Sequence, residues 1–175
     1  NGPEFRDPWK GTAGFWRGSY HTAMEGSLRA PFMMRWPGRI KPGVVTDEII
    51  HITDLYTSLL TLVGCPIPED RPVDGVDQLD FILGKQDTSN RNGFVYYIKN
   101  EMRAIKWKHW KMHFIWEPEV YDGPKKLEVP YLFNLIADPK EQTNVMTTEN
   151  WVRGPMMEML NKFRQSMDKH PPIKP

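Results

Sequence analysis

Three segments in the second half of the chain alternate between apolar and polar residues and are rich in aromatic and β-branched side chains. They are 94–98, 102–107 and 110–115. This pattern is typical of antiparallel strands with one buried and one solvated face. Trp107 and Trp110 are expected on the buried face, and Lys106 and Lys111 in solvent. The alternation changes phase at 108–109, which predicts a hairpin turn there.

The end of the chain predicts a further strand and a closing helix. Residues 131–136 form an apolar run that favours a strand, followed by a turn at 138–139. The polar residues 117–130 are expected to form a loop before this strand. Apolar residues at helical spacing from Val152 to Met167 predict an amphipathic helix.

The first half of the chain has a different pattern. Thr53 is a suitable N-cap and Gly64 a suitable C-terminal stop, and apolar residues repeat at helical spacing between them. These apolar positions form more than a narrow stripe, so we expect a largely buried helix. Residues 30–36 form a short apolar run that ends at a Pro-Gly turn, which predicts a buried strand.

This change of pattern predicts a boundary near residue 85. Residues 1–85 are expected to contain a helix and a buried strand. Residues 86–175 are expected to form a smaller α+β subdomain, in which antiparallel strands pack on a C-terminal helix.

Charge and hydropathy exclude some classes of partner. The 175 residues contain 23 Lys and Arg against 22 Asp and Glu, a net charge of +1. A nucleic-acid-binding protein would show a basic excess, so we expect no nucleic-acid partner, although lysines and tryptophans mix in the predicted hairpin. No run approaches the roughly 18 apolar residues of a membrane helix, so we expect no membrane partner. The two hairpin histidines, His109 and His113, are expected at solvated strand positions.

The segment 21–31 carries the best candidate chemistry. It places His21, Glu25 and Arg29 in a loop directly ahead of the predicted buried strand. Loops at strand ends are where ligands bind in open α/β sheets. Glu25 and Arg29 are equally suited to a structural ion pair that braces the loop, and the sequence leaves both interpretations open.

Several motifs, taken in order, resemble the sulfatase family. That family shows Asp-Asn-Gly, then Glu-Gly-Gly-x-Arg-x-Pro, then a strand ending in Trp-Pro-Gly, and a Leu-Tyr-Asp-Leu-x-x-Asp-Pro-x-Glu-x-x-Asn run near its C-terminus. The corresponding segments here are Asn1-Gly2-Pro3, Glu25 to Pro31, Arg35 to Gly38, and Leu132 to Asn144. The resemblance implies the C-terminal part of an alkaline-phosphatase-like α/β fold, in which residues 1–85 are an incomplete part of the catalytic α/β domain.

The resemblance also implies an activity and its cofactors. Sulfatases hydrolyse sulfate esters, such as aryl or carbohydrate sulfates, with a bound divalent metal and a formylglycine made from Cys or Ser in a [C/S]-x-P-x-R motif. Cys65 does not match this motif, so the nucleophile is expected upstream and the fragment alone is not expected to be active. Asn1 falls on the family's metal-binding Asn, and an amide oxygen suits Ca²⁺.

A sulfate-binding Lys of many family members falls on Tyr20, beside His21. Tyr20 and His21 are therefore the candidate substrate-binding residues, and His21 is the candidate proton donor. The implied partners are a sulfated small molecule or carbohydrate and the rest of the same chain, and the implied location is exported or lysosomal. The alternatives are a phosphodiester or phosphonate ester hydrolase of the same superfamily, and a non-catalytic interaction module.

Overall fold

The computed structural model describes residues 2–171. The chain forms two compact units, one made of Asn1–Phe32 with Gly93–Leu160 and the other of Met33–Asn92 with Asn161–Pro175. The first 32 residues therefore group with the second half of the chain. The expected domain boundary near residue 85 stays a prediction about the complete protein.

The first unit contains a four-stranded antiparallel sheet in the order β1-β2-β3-β4. Its strands are β1 Gly93–Ile98, β2 Glu101–Trp107, β3 Trp110–Trp116 and β4 Lys125–Asn134. The first three strands and the hairpin turn are confirmed, with Lys108 of the turn at φ +53°. The expectation of a loop through residue 130 is wrong, because β4 begins at Lys125 and pairs there with Trp116.

One face of the sheet packs against the C-terminal helix. This helix, Arg153–Lys169, follows a 3-10 turn at Asn150–Val152 and confirms the predicted amphipathic helix. Ile105, Met112 and Leu132 of the sheet form a core with Met156 and Leu160 of the helix. The predicted α+β arrangement of a sheet on a helix is therefore confirmed.

The opposite face of the sheet is also buried, and the expectation of solvated lysines there is wrong. Lys106, Lys111 and His113 are each 5% exposed or less. The reason is that residues 22–28, which include the short helix α1 Glu25–Leu28, lie against this face. Ala23 packs there against Tyr96 and Ala104 of the sheet. Glu25 supplies a buried negative charge.

The second unit contains the helices α2 Asp54–Leu62 and α3 Leu79–Ile82; with these numbers, the C-terminal helix is α4. Gly64, at φ +69°, follows α2 as predicted. Within this chain α2 buries polar residues such as Asp54 and exposes Leu59, so a largely buried helix stays a prediction about the complete protein. The buried side of α2 faces polar partners, since Asp54 binds Arg91 of the same unit.

Residues 30–36 do not form the predicted buried strand. Met33 is 90% exposed, and the run has no strand pairing. A strand is stable only when a neighbouring backbone pairs with it, and among residues 2–171 the four strands pair only with one another. Within the same residues, no helix is long and apolar enough to cross a bilayer.

Candidate functional site

The carboxylate of Glu25 is the centre of the buried polar face. It lies at the start of α1, is 1% exposed, and binds Lys106 at 2.7 Å and Lys111 at 3.1 Å. The hydroxyl of Tyr96 donates to it at 2.5 Å, and Arg29, one helical turn later, donates at 2.9 Å. Hydrogen bonds to an ionised group are about twice as strong as neutral ones, so Glu25 is firmly held.

A second carboxylate, Glu141, joins the same network. It follows β4 and is fully buried. It accepts hydrogen bonds from the backbone N–H of Glu25 at 2.9 Å and from His113 Nε2 at 2.6 Å. Lys111 Nζ lies 3.3 Å from Glu141 Oε1 and therefore bridges the two carboxylates. We call Glu25, Arg29, Lys106, Lys111, His113 and Glu141 the ionic cluster.

The pKa shifts show that both carboxylates are ionised. Burial alone would raise the pKa of Glu25, but Lys111 and Lys106 outweigh burial and hold this pKa well below its ordinary value. Burial would likewise raise the pKa of Glu141, and Lys111 and His113 together lower it. Burial and the charge of Glu25 raise the pKa of Tyr96, which therefore stays a hydrogen-bond donor.

His113 is a neutral member of the cluster. Burial lowers its pKa, and the hydrogen bond to Glu141 offsets this only in part. Because Glu141 is ionised and can only accept, Nε2 of His113 carries the proton. Its Nδ1 is buried without a hydrogen-bond partner. Burial also lowers the pKa of Lys106, against the opposing effect of Glu25.

The ionic cluster is structural rather than catalytic. Its lysines, its histidine and both carboxylates are almost fully buried, so no substrate touches them. The cluster instead fixes the loop that ends in α1 to the middle of the sheet. The Glu25–Arg29 ion pair that the sequence left open is present at 2.9 Å, and Arg29 also lies 3.7 Å from the centre of the Trp16 ring.

The predicted substrate-binding residues lie directly before this anchored segment. Tyr20 is partly buried, and its backbone N–H donates to the carbonyl of Pro3 at 3.0 Å. His21 is exposed and has φ +76°, a conformation that few residues other than Gly adopt. The centres of the two rings are 3.8 Å apart. The roles of Tyr20 and His21 stay predictions.

The predicted metal ligand Asn1 lies outside the described residues. Its neighbour Gly2 is held by the anchored loop, because the N–H of Gly2 donates to the carbonyl of Ser27 at 2.5 Å. A Cβ at Gly2 would lie 1.9 Å from the carbonyl oxygen of Gly26, so only glycine fits there.

The described residues do not by themselves form a metal centre. Residues 2–171 contain no group of three or more His, Cys, Asp or Glu side chains that could hold a metal ion.

Sequence reasoning missed most of the ionic cluster. Lys106 and Lys111 alternate with apolar residues as solvated positions do, and no local pattern marks them as buried. The sequence did mark the two acidic residues of the cluster, since Glu25 and Glu141 both stand in the segments that resemble sulfatase motifs. A carboxylate in a segment that packs on a sheet requires buried cations opposite it.

Comparison with known proteins decides the family. The model for the C-terminal part of N-sulphoglucosamine sulphohydrolase matches residues 17–169. The chain belongs to the sulfatase family. Human arylsulfatase A is 30% identical to this sulfatase chain, over 94% of the chain and 35% of the relative. The N-acetylgalactosamine-6-O-sulfatase of Bacteroides thetaiotaomicron is also 30% identical, over 94% of this chain and 35% of that relative.

A solved structure confirms the predicted fold. The crystal structure of the PsFucS1 sulfatase from Pseudoalteromonas sp. superimposes with a TM-score of 0.88 and 28% identity. The match covers 99% of this chain and 37% of that one. The sulfatase chain described here thus spans about a third of the length of the relatives it matches.

Proposed function

We propose that this chain is the C-terminal part of an enzyme that hydrolyses sulfate esters. The observation that carries the proposal is the 0.88 TM-score to a sulfatase over 99% of the chain. The family match over residues 17–169 supports it independently. The named relatives are sulfatases, so they do not favour a phosphodiesterase or a non-catalytic module.

In this proposal the chain supplies one wall of the active site. The ionic cluster holds α1, and the hydrogen bond from Tyr20 to Pro3 holds the start of the same loop. His21 is thereby presented to solvent beside Tyr20. The hydroxyl of Tyr20 is suited to donate a hydrogen bond to a sulfate oxygen, as a cationic Lys does in many relatives.

His21 is proposed to protonate the leaving alcohol. As the bond between sulfur and the ester oxygen breaks, that oxygen keeps the bonding electron pair and takes a proton from the imidazolium of His21. An imidazole is the side chain that exchanges a proton most readily near neutral pH. The nucleophile that attacks sulfur is proposed to lie upstream of this chain, as a formylglycine.

Asn1 is proposed to be a ligand of a bound divalent metal, Ca²⁺. An amide oxygen is a suitable ligand for this hard cation. In the full-length protein, Asn1→Ala is expected to weaken Ca²⁺ binding about tenfold or more, measured by calorimetric titration of the metal-free protein. The exposed Asn100→Ala is a control. Equal affinities of Asn1→Ala and the wild type would remove Asn1 from the site.

The substrate is proposed to be an aryl or carbohydrate sulfate. The relatives include an arylsulfatase and an N-acetylgalactosamine-6-O-sulfatase, whose names cover both classes. The test is turnover of 4-nitrophenyl sulfate and 4-nitrophenyl phosphate by the full-length protein, at matched concentrations. We expect kcat/KM to be at least tenfold higher for the sulfate; a preference for the phosphate, or turnover of neither, would overturn the proposal.

A further inference from the structure

Aromatic rings from three separate segments form a row that runs from Tyr20 and His21 through Phe5 to Tyr121. The Phe5 ring lies 6.5 Å from the ring of His21 and 5.6 Å from that of Tyr121, measured between ring centres. The ring of Tyr20, the residue before His21, is tilted by 48° to the His21 ring, with the two ring centres 3.8 Å apart. Tyr121 belongs to the connection between β3 and β4, so its presence here depends on the folded sheet. We call Phe5, Tyr20, His21 and Tyr121 the aromatic platform.

The aromatic platform remains open to solvent. Tyr121 is 83% exposed, His21 is exposed, and Phe5 and Tyr20 are only partly buried. The Phe5 ring meets those of Tyr121 and His21 at interplanar angles of 82° and 69°. A near-perpendicular pair covers a face of only one of its two rings. Ring faces therefore remain available to a ligand.

Hydrogen bonds of the surrounding backbone hold Phe5 in place. The side chain of Glu4 accepts hydrogen bonds from the N–H of Phe5 at 2.9 Å and the N–H of Arg6 at 3.2 Å. The preceding residue, Pro3, accepts from the N–H of Tyr20. The guanidinium of Arg6 lies 5.4 Å from the centre of the Phe5 ring. Phe5 is thus a partly exposed and positioned ring, as a binding surface requires.

We infer that Phe5 and Tyr121 bind the ring of the alcohol that leaves from the sulfate ester. This inference rests on the proposed function, in which His21 protonates the oxygen of that alcohol. A group bonded to an oxygen at His21 lies next to Phe5, whose ring centre is 6.5 Å from that of His21, and Tyr121 extends this surface 5.6 Å beyond Phe5. The chemistry that fits exposed aromatic faces is a six-membered ring with an apolar face, either an aromatic ring or a pyranose.

The test compares ring-removing variants of the full-length protein. Phe5→Ala and Tyr121→Ala remove one ring each, and Tyr121→Phe keeps the ring. Trp9→Ala is a control, because Trp9 is a 76% exposed aromatic residue outside the platform. The substrate is 4-methylumbelliferyl sulfate. The inhibitors are inorganic sulfate and two ring alcohols, 4-methylumbelliferone and N-acetylgalactosamine.

Loss of one aromatic contact is expected to raise KM about three- to tenfold in Phe5→Ala and Tyr121→Ala. The inhibition constant of at least one ring alcohol should rise by the same factor, and the alcohol affected shows which ring chemistry is bound. The kcat and the inhibition constant of inorganic sulfate should not change. Trp9→Ala should behave as the wild type, and Tyr121→Phe, which keeps the ring, should raise KM less than Tyr121→Ala does.

Unchanged KM values in both alanine variants would overturn the inference. An equal rise in the inhibition constant of inorganic sulfate would also overturn it, because such a rise would mean that the substitution has distorted the site. If the wild type hydrolyses no sulfate ester, the proposed function fails, and the platform is then tested by calorimetric binding of the two ring alcohols to the same variants. Identical binding to wild type and alanine variants, or no binding to any of them, would overturn the inference that the aromatic platform binds a ring.

Discussion

The ammonium group of Lys106 donates to the carboxylate of Glu25 over 2.7 Å, and neither side chain is more than 6% exposed. This contact fixes the loop before residue 30 to a strand much later in the chain. Lys111, from the partner strand of the hairpin, reaches the same carboxylate. The loop that carries Tyr20 and His21 is therefore held by charges rather than by apolar packing alone, and this arrangement has measurable consequences.

Lys111→Met should strongly destabilise the protein. The substitution keeps the volume of the side chain but leaves Glu25 and Glu141 buried without the cation that bridges them. Removing one partner of a buried ion pair costs roughly 3–5 kcal/mol. The measurement is the free energy of unfolding in urea. Lys126→Met, at an 83% exposed side chain, is the control and should unfold like the wild type.

The stability of the protein should fall on acidification because of His113. Its pKa in the folded state lies below the ordinary value of 6.5, so below pH 6.5 the unfolded chain binds a proton that the folded protein does not. Stability is therefore lost as the pH falls from about 6.5, by up to about 1.4 kcal/mol per pH unit.

His113→Gln should remove this pH dependence, because the amide donates to Glu141 without titrating. The check is the difference in unfolding free energy between wild type and variant at pH 7.5, 6.5, 5.5 and 5.0. His51 and His109 are present in both proteins and cancel in the difference. Parallel curves would show that His113 does not titrate differently on folding, and a wild type that gains stability in acid would show a charged His113.

Arg91→Leu should destabilise the second unit. The carboxylate of Asp54 is fully buried and binds Arg91 at 2.5 Å, as well as the N–H groups of His51 and Val76. Without Arg91 the buried charge keeps only the two backbone donors, so we expect a loss of roughly 3–5 kcal/mol in the unfolding free energy. Arg71→Leu removes an exposed pair with Asp70 and should change little.

His21→Ala should lower kcat about a hundredfold or more, the usual contribution of a general acid. The loss should be larger for a galactose 6-sulfate than for 4-nitrophenyl sulfate, because 4-nitrophenolate leaves without a proton. His21→Asn tolerates the positive φ and separates loss of the imidazole from backbone strain. Equal kcat in wild type and both variants would exclude His21 from proton transfer, and Tyr20→Phe tests its neighbour in the same assay.

Local patterns predicted the strands, the hairpin and the closing helix well, since period-2 alternation and helical spacing report on the backbone directly. They did not predict burial. Lys106 and Lys111 look like solvent-facing residues, because alternation shows which residues share a face and not what covers it. The covering segment carries Glu25, and the contact between distant segments leaves no trace in either local pattern.

The first half of the chain differs in the opposite sense. A short apolar run bounded by a turn predicted a buried strand at 30–36, and apolar residues at helical spacing predicted a largely buried α2. Met33 and Leu59 are instead exposed, because burial depends on a partner surface and not on the residue itself. Asp54 and Ser58 are buried through specific hydrogen bonds, which the spacing of apolar residues does not report.

The hydrogen bond from the backbone N–H of Glu25 to Glu141 spans 116 positions of the chain. A ribosome makes the N-terminal residue first, so Glu25 leaves the exit tunnel long before its acceptor exists. Until Glu141 has been synthesised, the loop that carries His21 cannot complete its anchor. Anchoring of this loop is therefore a late event in the biogenesis of the protein, and a nascent chain that stops before residue 141 carries Glu25 without one of its partners.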